Sequence, residues 1–304
     1  MCGFIEEKEP YDSWELLVRD LQLNWSETKI YRGQSNSESI IAFKPWDVVS
    51  SFNRKYHSNR YHFRNFLNQQ LHSSLFKEVY GDYPFEKMER FLEFNQLEKL
   101  YFLQHYGIPT CLIDFSKNPL VALYFAIAGV VPIDTNKLYQ EEKPEFYPTD
   151  HFVSIYEVDY HLLNQLLGVK HLDYNDFPGN YSKYEFNYGY IGLDIDPLKN
   201  CSNPNENYNL ENQKGCFILF DNERWDMDFI TTLKLLMREY RDLRTSPIVR
   251  IYKLKYNAIF TMGEGQMFKH KRLFGYLHSN NYTGRRLFND LQGIRYDFDS
   301  FHLF

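Results

Sequence analysis

Polar side chains stand at both ends of one short apolar run in the first half of the chain, and their types suit ligand binding or proton transfer. His105 precedes a Gly-Ile-Pro turn, and Asp114 and Ser116 follow the apolar run Cys-Leu-Ile. An imidazole changes charge near neutral pH, and a positioned carboxylate can accept a proton or stabilise a positive charge. The pattern predicts a helix end, a turn, a short strand and a second helix, with these groups at the junctions.

Each of these residues also has a purely structural interpretation, which the sequence leaves open. A His105 ring nitrogen can bond a carbonyl of the turn, and Asp114 can pair with a cation such as Arg32. Ser116 stands two residues before Asn118, where a hydroxyl can cap the helix that Pro119 opens. The sequence therefore predicts where these side chains lie, and it does not decide between chemistry and architecture.

Two further places carry groups that could contact a ligand. Arg32 ends a predicted strand, and its guanidinium offers a planar set of donors for phosphate or hydroxyl oxygens. The adjacent Gly33 would let a ligand approach the backbone closely. Gln213, with Glu211 beside it, precedes another apolar strand, and it suits either a turn or a ligand contact.

Composition excludes several classes of protein. The net charge of −6 argues against a broad nucleic-acid-binding surface, which needs basic residues to neutralise phosphates. The four cysteines match no zinc spacing, so we expect reduced thiols and no metal site. The N-terminus lacks the pattern of a signal peptide, and no apolar run is long enough to span a membrane. We expect a cytoplasmic protein without a membrane partner.

Hydrophobic spacing predicts an α+β fold, with a helical N-terminal third packed on a mixed, mostly antiparallel sheet. Helical spacing extends from Asn59 to about Tyr106, and a later helix is predicted from about Glu264 to His278. Strands are predicted at 28–34, 111–113, 152–158, 188–195, 215–220 and 248–254, and 199–209 is predicted to be a loop. We expect a single domain over 1–304, in which 1–27 is a helical extension of a core at 28–304.

Three blocks of this sequence resemble the FRG domain family, which is named for its Phe/Tyr-Arg-Gly signature. They are YRGQ at 31–34, QHYGIPTCLIDFSKNPLVALYFA at 104–126 and QKGCF at 213–217. With the tail from 271 to about 299, the resemblance extends from about Ile30 to the C-terminus. Three positions depart from the family pattern: Cys111 and Asn209 stand where the family has arginines, and Phe115 stands where it has a tryptophan.

The resemblance implies an effector of a bacterial anti-phage defence or toxin-like system, acting with a partner protein of that system. A more distant similarity, to ADP-ribosyltransferase-like folds, implies NAD as the cofactor. The reaction would be ADP-ribosyl transfer from NAD to a protein or nucleic-acid acceptor, or NAD cleavage. The resemblance implies catalytic roles for Arg32, His105, Asp114 and Gln213. It implies nucleotide contacts from Tyr31, Gly33, Gln34, Tyr106, Ser116 and Glu211.

Two other functions stay open on the same residues. One is a sensor that binds a nucleotide or nucleic acid without turnover, which is favoured by the two missing arginines and by Gln213 in place of a carboxylate. The other is a metal-independent nuclease that uses His105 and Asp114. The sequence does not decide whether the protein is an enzyme.

Overall fold

The computed structural model describes residues 4–35, 48–56, 94–105, 108–128, 152–173, 175, 185–186, 189–201, 208–222, 228–237, 246–263, 266–269 and 271–288. Within these ranges, nine strands form one sheet and two more form a separate hairpin. None of the helices in these ranges is long and apolar enough to cross a membrane.

The strands are short, and most are separated by helices. In chain order they are β1 (Ile5–Glu7), β2 (Lys29–Gln34), β3 (Leu112–Ser116), β4 (Phe152–Asp159), β5 (Lys170–His171), β6 (Glu185–Phe186), β7 (Gly189–Asp194), β8 (Gly215–Asn222), β9 (Val249–Lys255), β10 (Phe260–Gly263) and β11 (Gln266–Lys269). The helices are α1 (Trp14–Leu23), α2 (Ser51–Tyr56), α3 (Gln96–His105), α4 (Pro119–Ala128), α5 (Tyr160–Leu167), α6 (Tyr208–Asn212), α7 (Phe229–Met237), α8 (Lys271–Ser279) and α9 (Gly284–Phe288). Two 3₁₀ helices lie at Pro197–Asn200 and Tyr256–Ala258.

The large sheet has the strand order β1-β9-β4-β2-β3-β8-β7-β5, and β6 also pairs with β7. Its β1–β9 and β5–β7 pairs are parallel, and the other pairs are antiparallel. The prediction of an α+β fold with a mixed, mostly antiparallel sheet is therefore confirmed. Most of the predicted helical stretch between Asn59 and Tyr106 lies outside the described residues; within it the structure shows α3.

Helices cover both faces of the sheet, so its strands contribute to two cores. We call the face that carries Tyr31, Ile155 and Tyr252 the first face; α1, α4 and α8 pack on it. The second face carries Ile30 and Tyr156, and α5 and α7 pack on it. A further apolar cluster joins α3 to β3 and β8, through residues that include Tyr101, Leu112 and Phe217. Side chains of β2 and β4 alternate between the faces, as the pleat requires.

Two predicted elements differ from the structure. Residues 266–269 of the predicted 264–278 helix form β11, and helix α8 begins only at Lys271. The reason is tertiary pairing, because β11 forms an antiparallel hairpin with β10 in which Thr261 lies opposite Phe268. The predicted 199–209 loop contains the start of α6, which lies beside α9 and β8. Strand pairing decided the first segment, and contacts of α6 with β8 and with the sequence-distant α9 decided the second.

Helix α4 follows β3 directly and lies against the backbone of β2. Asn118 Oδ1 accepts the Leu120 N–H at 2.9 Å, so Asn118 caps the helix and Pro119 occupies its first position. A Cβ built on Gly33 would lie 1.8 Å from Ala122 O and 2.8 Å from Ala126 N. The glycine is therefore required for contact between strand and helix.

Helix α3 is fixed at its N-terminus by a reciprocal cap. Asn95 Oδ1 accepts two first-turn backbone N–H groups at 3.0 Å, and Glu98 Oε2 accepts the Asn95 N–H at 2.9 Å. This is the capping-box arrangement, which satisfies donors that a helix start leaves unpaired. Asn95 Nδ2 also donates to Asn200 O at 2.7 Å, which ties the cap to the 3₁₀ turn after β7.

A buried carboxyl fixes the middle of α3. The Tyr101 hydroxyl donates to Asp194 Oδ2, and Asn200 Nδ2 donates to the same oxygen at 3.1 Å. The Tyr101 ring also stacks on Phe217 of β8, with ring centroids 5.1 Å apart. Burial raises the pKa of the Asp194 carboxyl to about 6, although the hydrogen bonds from Tyr101 and Asn200 lower it. One turn after Tyr101, α3 presents Gln104 and His105.

The substitution Gly33→Ala tests the contact between β2 and α4. Its methyl group would overlap helix backbone that cannot move alone, so we expect the free energy of unfolding to fall by about 3 kcal/mol or more. Gly275→Ala in α8 is the matched control, because a Cβ there meets nothing within 4 Å. It should raise the free energy of unfolding by about 0.5–1 kcal/mol. Denaturant unfolding measures both values, and a Gly33→Ala protein as stable as wild type contradicts the packing.

The raised pKa of Asp194 predicts a pH-dependent loss of stability. Between about pH 4 and pH 6 the unfolded carboxyl ionises while the native one stays protonated, so the free energy of unfolding falls as pH rises. About two pKa units correspond to about 3 kcal/mol. Asp194→Asn removes this contribution, so the difference between wild type and variant should change by that amount across the interval. Urea unfolding at several pH values measures it, and a constant difference contradicts the prediction.

Candidate functional site

Strands β2 and β3 separate to form a fork at the centre of the sheet. Both strands are fully described, and their pairing is recorded at one residue pair, Tyr31 opposite Ser116. By contrast, β2 pairs with β4 over six residue pairs, and β3 pairs with β8 over five. Beyond the Tyr31–Ser116 pair the strands run alongside each other without a ladder. We call this gap, between Arg32–Gln34 and Leu112–Asp114, the fork.

The Arg32 side chain lies in the fork. Its Nη1 donates to the backbone O of Asp114 at 2.8 Å, so the guanidinium occupies the place of a strand N–H. The same nitrogen is 3.9 Å from the Asp114 carboxylate. The Arg32 side chain is 13% exposed and the Asp114 side chain 58%, so a largely buried cation lies beside a carboxylate on the rim. The Nε of Arg32 is buried and has no hydrogen-bond partner among the residues that the structure describes.

A chain of hydrogen bonds orients the Asp114 carboxylate. Gln104 Nε2 donates to Asp114 Oδ2 at 2.8 Å, and Gln104 Oε1 accepts the Thr110 hydroxyl. The Thr110 N–H in turn donates to Ser51 Oγ at 2.9 Å. The chain links α3, the start of β3 and α2. Because both ends of the Gln104 amide are engaged, the carboxylate direction is set by three elements.

Helix α2 brings a second arginine to the fork, one that the sequence analysis missed. Ser50 Oγ accepts the Asn53 N–H at 3.2 Å at the start of α2, and the Phe52 N–H donates to Thr110 O at 2.9 Å. These bonds seat α2 beside β3, and Arg54 lies on its exposed side. The short polar sequence around Arg54 has no pattern that identifies it as a site residue. The hydrogen bonds of Ser51 and Phe52 with Thr110, which seat α2 beside β3, form only in the folded protein.

The electrostatics of the fork follow from its two guanidiniums and one carboxylate. Burial lowers the pKa of the Arg32 guanidinium; the Asp114 charge raises it, and the Arg54 charge lowers it again. Two like charges are thus close enough to affect each other, and Asp114 acts on both.

His105 follows Gln104 in α3, but its side chain makes a contact separate from the fork. Its exposed ring accepts a hydrogen bond through Nδ1 from Asn209 Nδ2 at 3.3 Å. Asn209 is one of the positions where the family resemblance expects an arginine, and here its amide faces the imidazole. The other such position, Cys111, is 1% exposed and packs in the apolar cluster under α3.

Ser116 and Gln213 form a third group, at the closed end of β3. The Ser116 hydroxyl donates to Gln213 O at 2.6 Å and accepts the Asn118 N–H at 3.0 Å. Gln213 Nε2 donates to Leu287 O at 2.9 Å, which holds α9 against this corner. Both side chains therefore make joints between elements. Glu211 is exposed on α6.

The remaining predicted contacts divide between the two faces of the sheet. Tyr31 is fully buried on the first face, and Gly33 lies against α4. Gln34 lies on the opposite face, and its buried Oε1 has no hydrogen-bond partner. Tyr106 lies outside the described residues. Of the predicted site residues, the fork therefore contains Arg32, Gln34 and Asp114.

The side chains of the fork suit a ligand that carries an anionic group next to a polar group. A guanidinium with a free donor suits a phosphate or hydroxyl oxygen. The exposed carboxylate can orient a hydroxyl, accept a proton or stabilise a positive charge nearby. Among the described residues, no group of three His, Cys, Asp or Glu side chains could hold a metal ion.

Comparison with known proteins identifies the part of the chain that contains the fork. Residues 27–133 match the model of the FRG domain. No curated protein and no solved structure matches the chain. The matched range includes β2, α2, α3, β3 and α4, hence both sides of the fork, whereas Gln213 and Glu211 lie beyond it. The resemblance drawn from the sequence is confirmed for this range: the chain contains an FRG domain at residues 27–133.

Proposed function

We propose that the FRG domain binds NAD in the fork and cleaves its nicotinamide–ribose bond, releasing ADP-ribose or transferring it to a protein or nucleic-acid acceptor. The protein would act in this way as the effector of a bacterial anti-phage defence or toxin-like system, together with a partner protein of that system. The part in defence rests on the family resemblance. The choice of NAD rests on the resemblance to ADP-ribosyltransferase-like folds, and the geometry of the fork supports an anionic ligand.

The buried Arg32 guanidinium, whose Nε has no hydrogen-bond partner among the described residues, carries the proposal. The Arg32 guanidinium is largely buried, and one exposed carboxylate, Asp114, acts on both Arg32 and Arg54. Burying a cation is costly unless charge or hydrogen bonds compensate. A diphosphate would supply negative charge and acceptors, including one for the unpartnered Arg32 Nε.

The chemistry would fall to Asp114. Cleavage of the nicotinamide–ribose bond develops positive charge on the sugar, and a carboxylate held close to it lowers that barrier. The hydrogen bond from Gln104 fixes the Asp114 carboxylate in direction while leaving it exposed. The same group could take a proton from an attacking water or acceptor.

One observation favours a second candidate, a sensor that binds the nucleotide without turnover. Gln213, which the resemblance to ADP-ribosyltransferase-like folds places at the late catalytic position, uses its amide to hold Leu287 O. Ser116 likewise holds the backbone at Gln213. In this second hypothesis, Arg32 and Arg54 bind the nucleotide, and Asp114 has no catalytic role and only compensates their positive charge.

Arg32→Gln tests nucleotide binding. We expect NAD to raise the melting temperature of the wild-type protein and to bind Arg32→Gln about 10–100-fold more weakly, because charge-assisted hydrogen bonds are lost. Arg19→Gln removes the same charge from a 65% exposed side chain on α1, and should leave NAD affinity unchanged. Thermal shift and titration calorimetry measure both. Absence of any effect of NAD on the wild-type protein would refute the proposal.

Asp114→Asn separates the enzyme from the sensor. The amide still accepts the Gln104 hydrogen bond but carries no charge, so we expect NAD binding to persist and cleavage to fall by about 10²–10⁴-fold. Release of nicotinamide from NAD, followed by chromatography, measures the rate. If the wild-type protein binds NAD and returns it unchanged, the sensor is the correct reading.

A further inference from the structure

Three buried polar atoms without a hydrogen-bond partner lie together beside the fork. They are Arg32 Nε, Gln34 Oε1 and Ser154 Oγ. Such atoms are uncommon in folded proteins, since most buried polar groups find a partner. The Tyr31 hydroxyl on β2 is also buried without a partner among the described residues, but it lies on the first face of the sheet. The other three belong to neighbouring positions on two paired strands, β2 and β4.

Strand register brings the three side chains onto one face. Gln34 lies directly opposite Ser154, and Arg32 lies opposite Tyr156. Directly opposed side chains have Cβ atoms about 5 Å apart, and diagonal neighbours lie within reach of long side chains. Tyr156 belongs to the core of the second face, and residues two apart on a strand share a face. All three atoms therefore lie on the second face, at the end of β2 where the fork opens.

The donors and acceptors among these three atoms define which ligand edge they can bind. Arg32 Nε is a donor, Gln34 Oε1 is an acceptor, and the Ser154 hydroxyl can act as either. A ligand edge with an amino group next to an acceptor atom would satisfy all three. The amino group would donate to Gln34 Oε1 and Ser154 Oγ, and the acceptor atom would accept the hydrogen of Arg32 Nε. Ser154 is 0% exposed, so water does not satisfy its hydroxyl in the free protein.

We propose that Arg32, Gln34 and Ser154 form a subsite that reads an amino-plus-acceptor edge of the bound nucleotide. The inference rests on the proposed function and extends it, because NAD carries two such edges. One is the carboxamide of nicotinamide, and the other is the amino edge of adenine. Arg32 then has two tasks: its Nη1 contacts Asp114, and its Nε faces the planar edge.

Analogues of NAD locate the edge. In the deamido analogue a carboxylate replaces the carboxamide, and in the hypoxanthine analogue an oxo group replaces the adenine amino group. Calorimetry with the full-length protein should show one analogue binding about tenfold or more weakly than NAD, while the other matches NAD. The affected analogue identifies the ring in the subsite. Equal affinity for all three dinucleotides overturns the subsite.

Ser154→Ala supplies a test that does not depend on turnover. Because the hydroxyl has no partner, removing it should leave the melting temperature of the free protein unchanged or raise it, while NAD affinity falls and discrimination between the analogues shrinks. Ser50→Ala is the control for the sign, since the buried Ser50 hydroxyl accepts the Asn53 N–H and its loss should lower the melting temperature. A Ser154→Ala protein that melts lower, or keeps full discrimination, overturns the subsite.

Failure of the subsite differs from failure of the proposed function. If NAD binds and the three dinucleotides are equivalent, the function stands and the subsite is refuted. If NAD does not bind, nicotinamide and adenosine are tested alone at high concentration. A melting-temperature increase in wild type that Ser154→Ala abolishes then supports the subsite without NAD, and no increase with either compound refutes it.

Discussion

The contact between Gly33 and helix α4 is the constraint on which the rest of the site depends. With no side chain between them, strand backbone and helix backbone meet, and β2 cannot move toward or away from α4. Since α4 continues from β3 through the Asn118 cap, the same contact fixes β2 relative to β3. Arg32, the residue before Gly33, is thereby held with its guanidinium on the Asp114 carbonyl. The signature Tyr-Arg-Gly thus combines a core residue, a residue whose side chain lies in the fork and a residue that packs against a helix.

The fork is an exception to the usual pairing of adjacent strands in a sheet. Adjacent strands normally complete their ladder, because unpaired backbone groups are costly when buried. Here an arginine side chain supplies a donor to β3, and α2 and α3 contribute the rest of the polar network. The gap is stabilised by contacts from elements outside the sheet. A site built this way is rigid on the β2 side, where the ladder to β4 is complete, and is set by side-chain hydrogen bonds on the β3 side.

Much of this arrangement could be predicted from local patterns in the sequence. The strand that carries Arg32, the helix that Pro119 opens and the strands β4 and β9 all follow from residue spacing and turn chemistry, and the structure agrees. Arg54 and Ser154 could not be found in that way, because their importance comes from Thr110 and Gln34, which are distant in sequence. Gly33 was expected to admit a ligand, whereas it admits a helix. Register and helix packing decide these roles, and neither is visible in a local pattern.

Strand order has a consequence for how the chain is made. The first strand, β1, pairs with β9, which is the last strand of the sheet, and β9 separates it from β4. During synthesis the N-terminal strand therefore has no permanent neighbour until residues 249–255 have left the ribosome. Pairings so distant in sequence are slow to form, since the intervening chain must be ordered first. The fork also needs β4 and β8 on its two sides, so nascent chains that end before Asn222 lack a complete site.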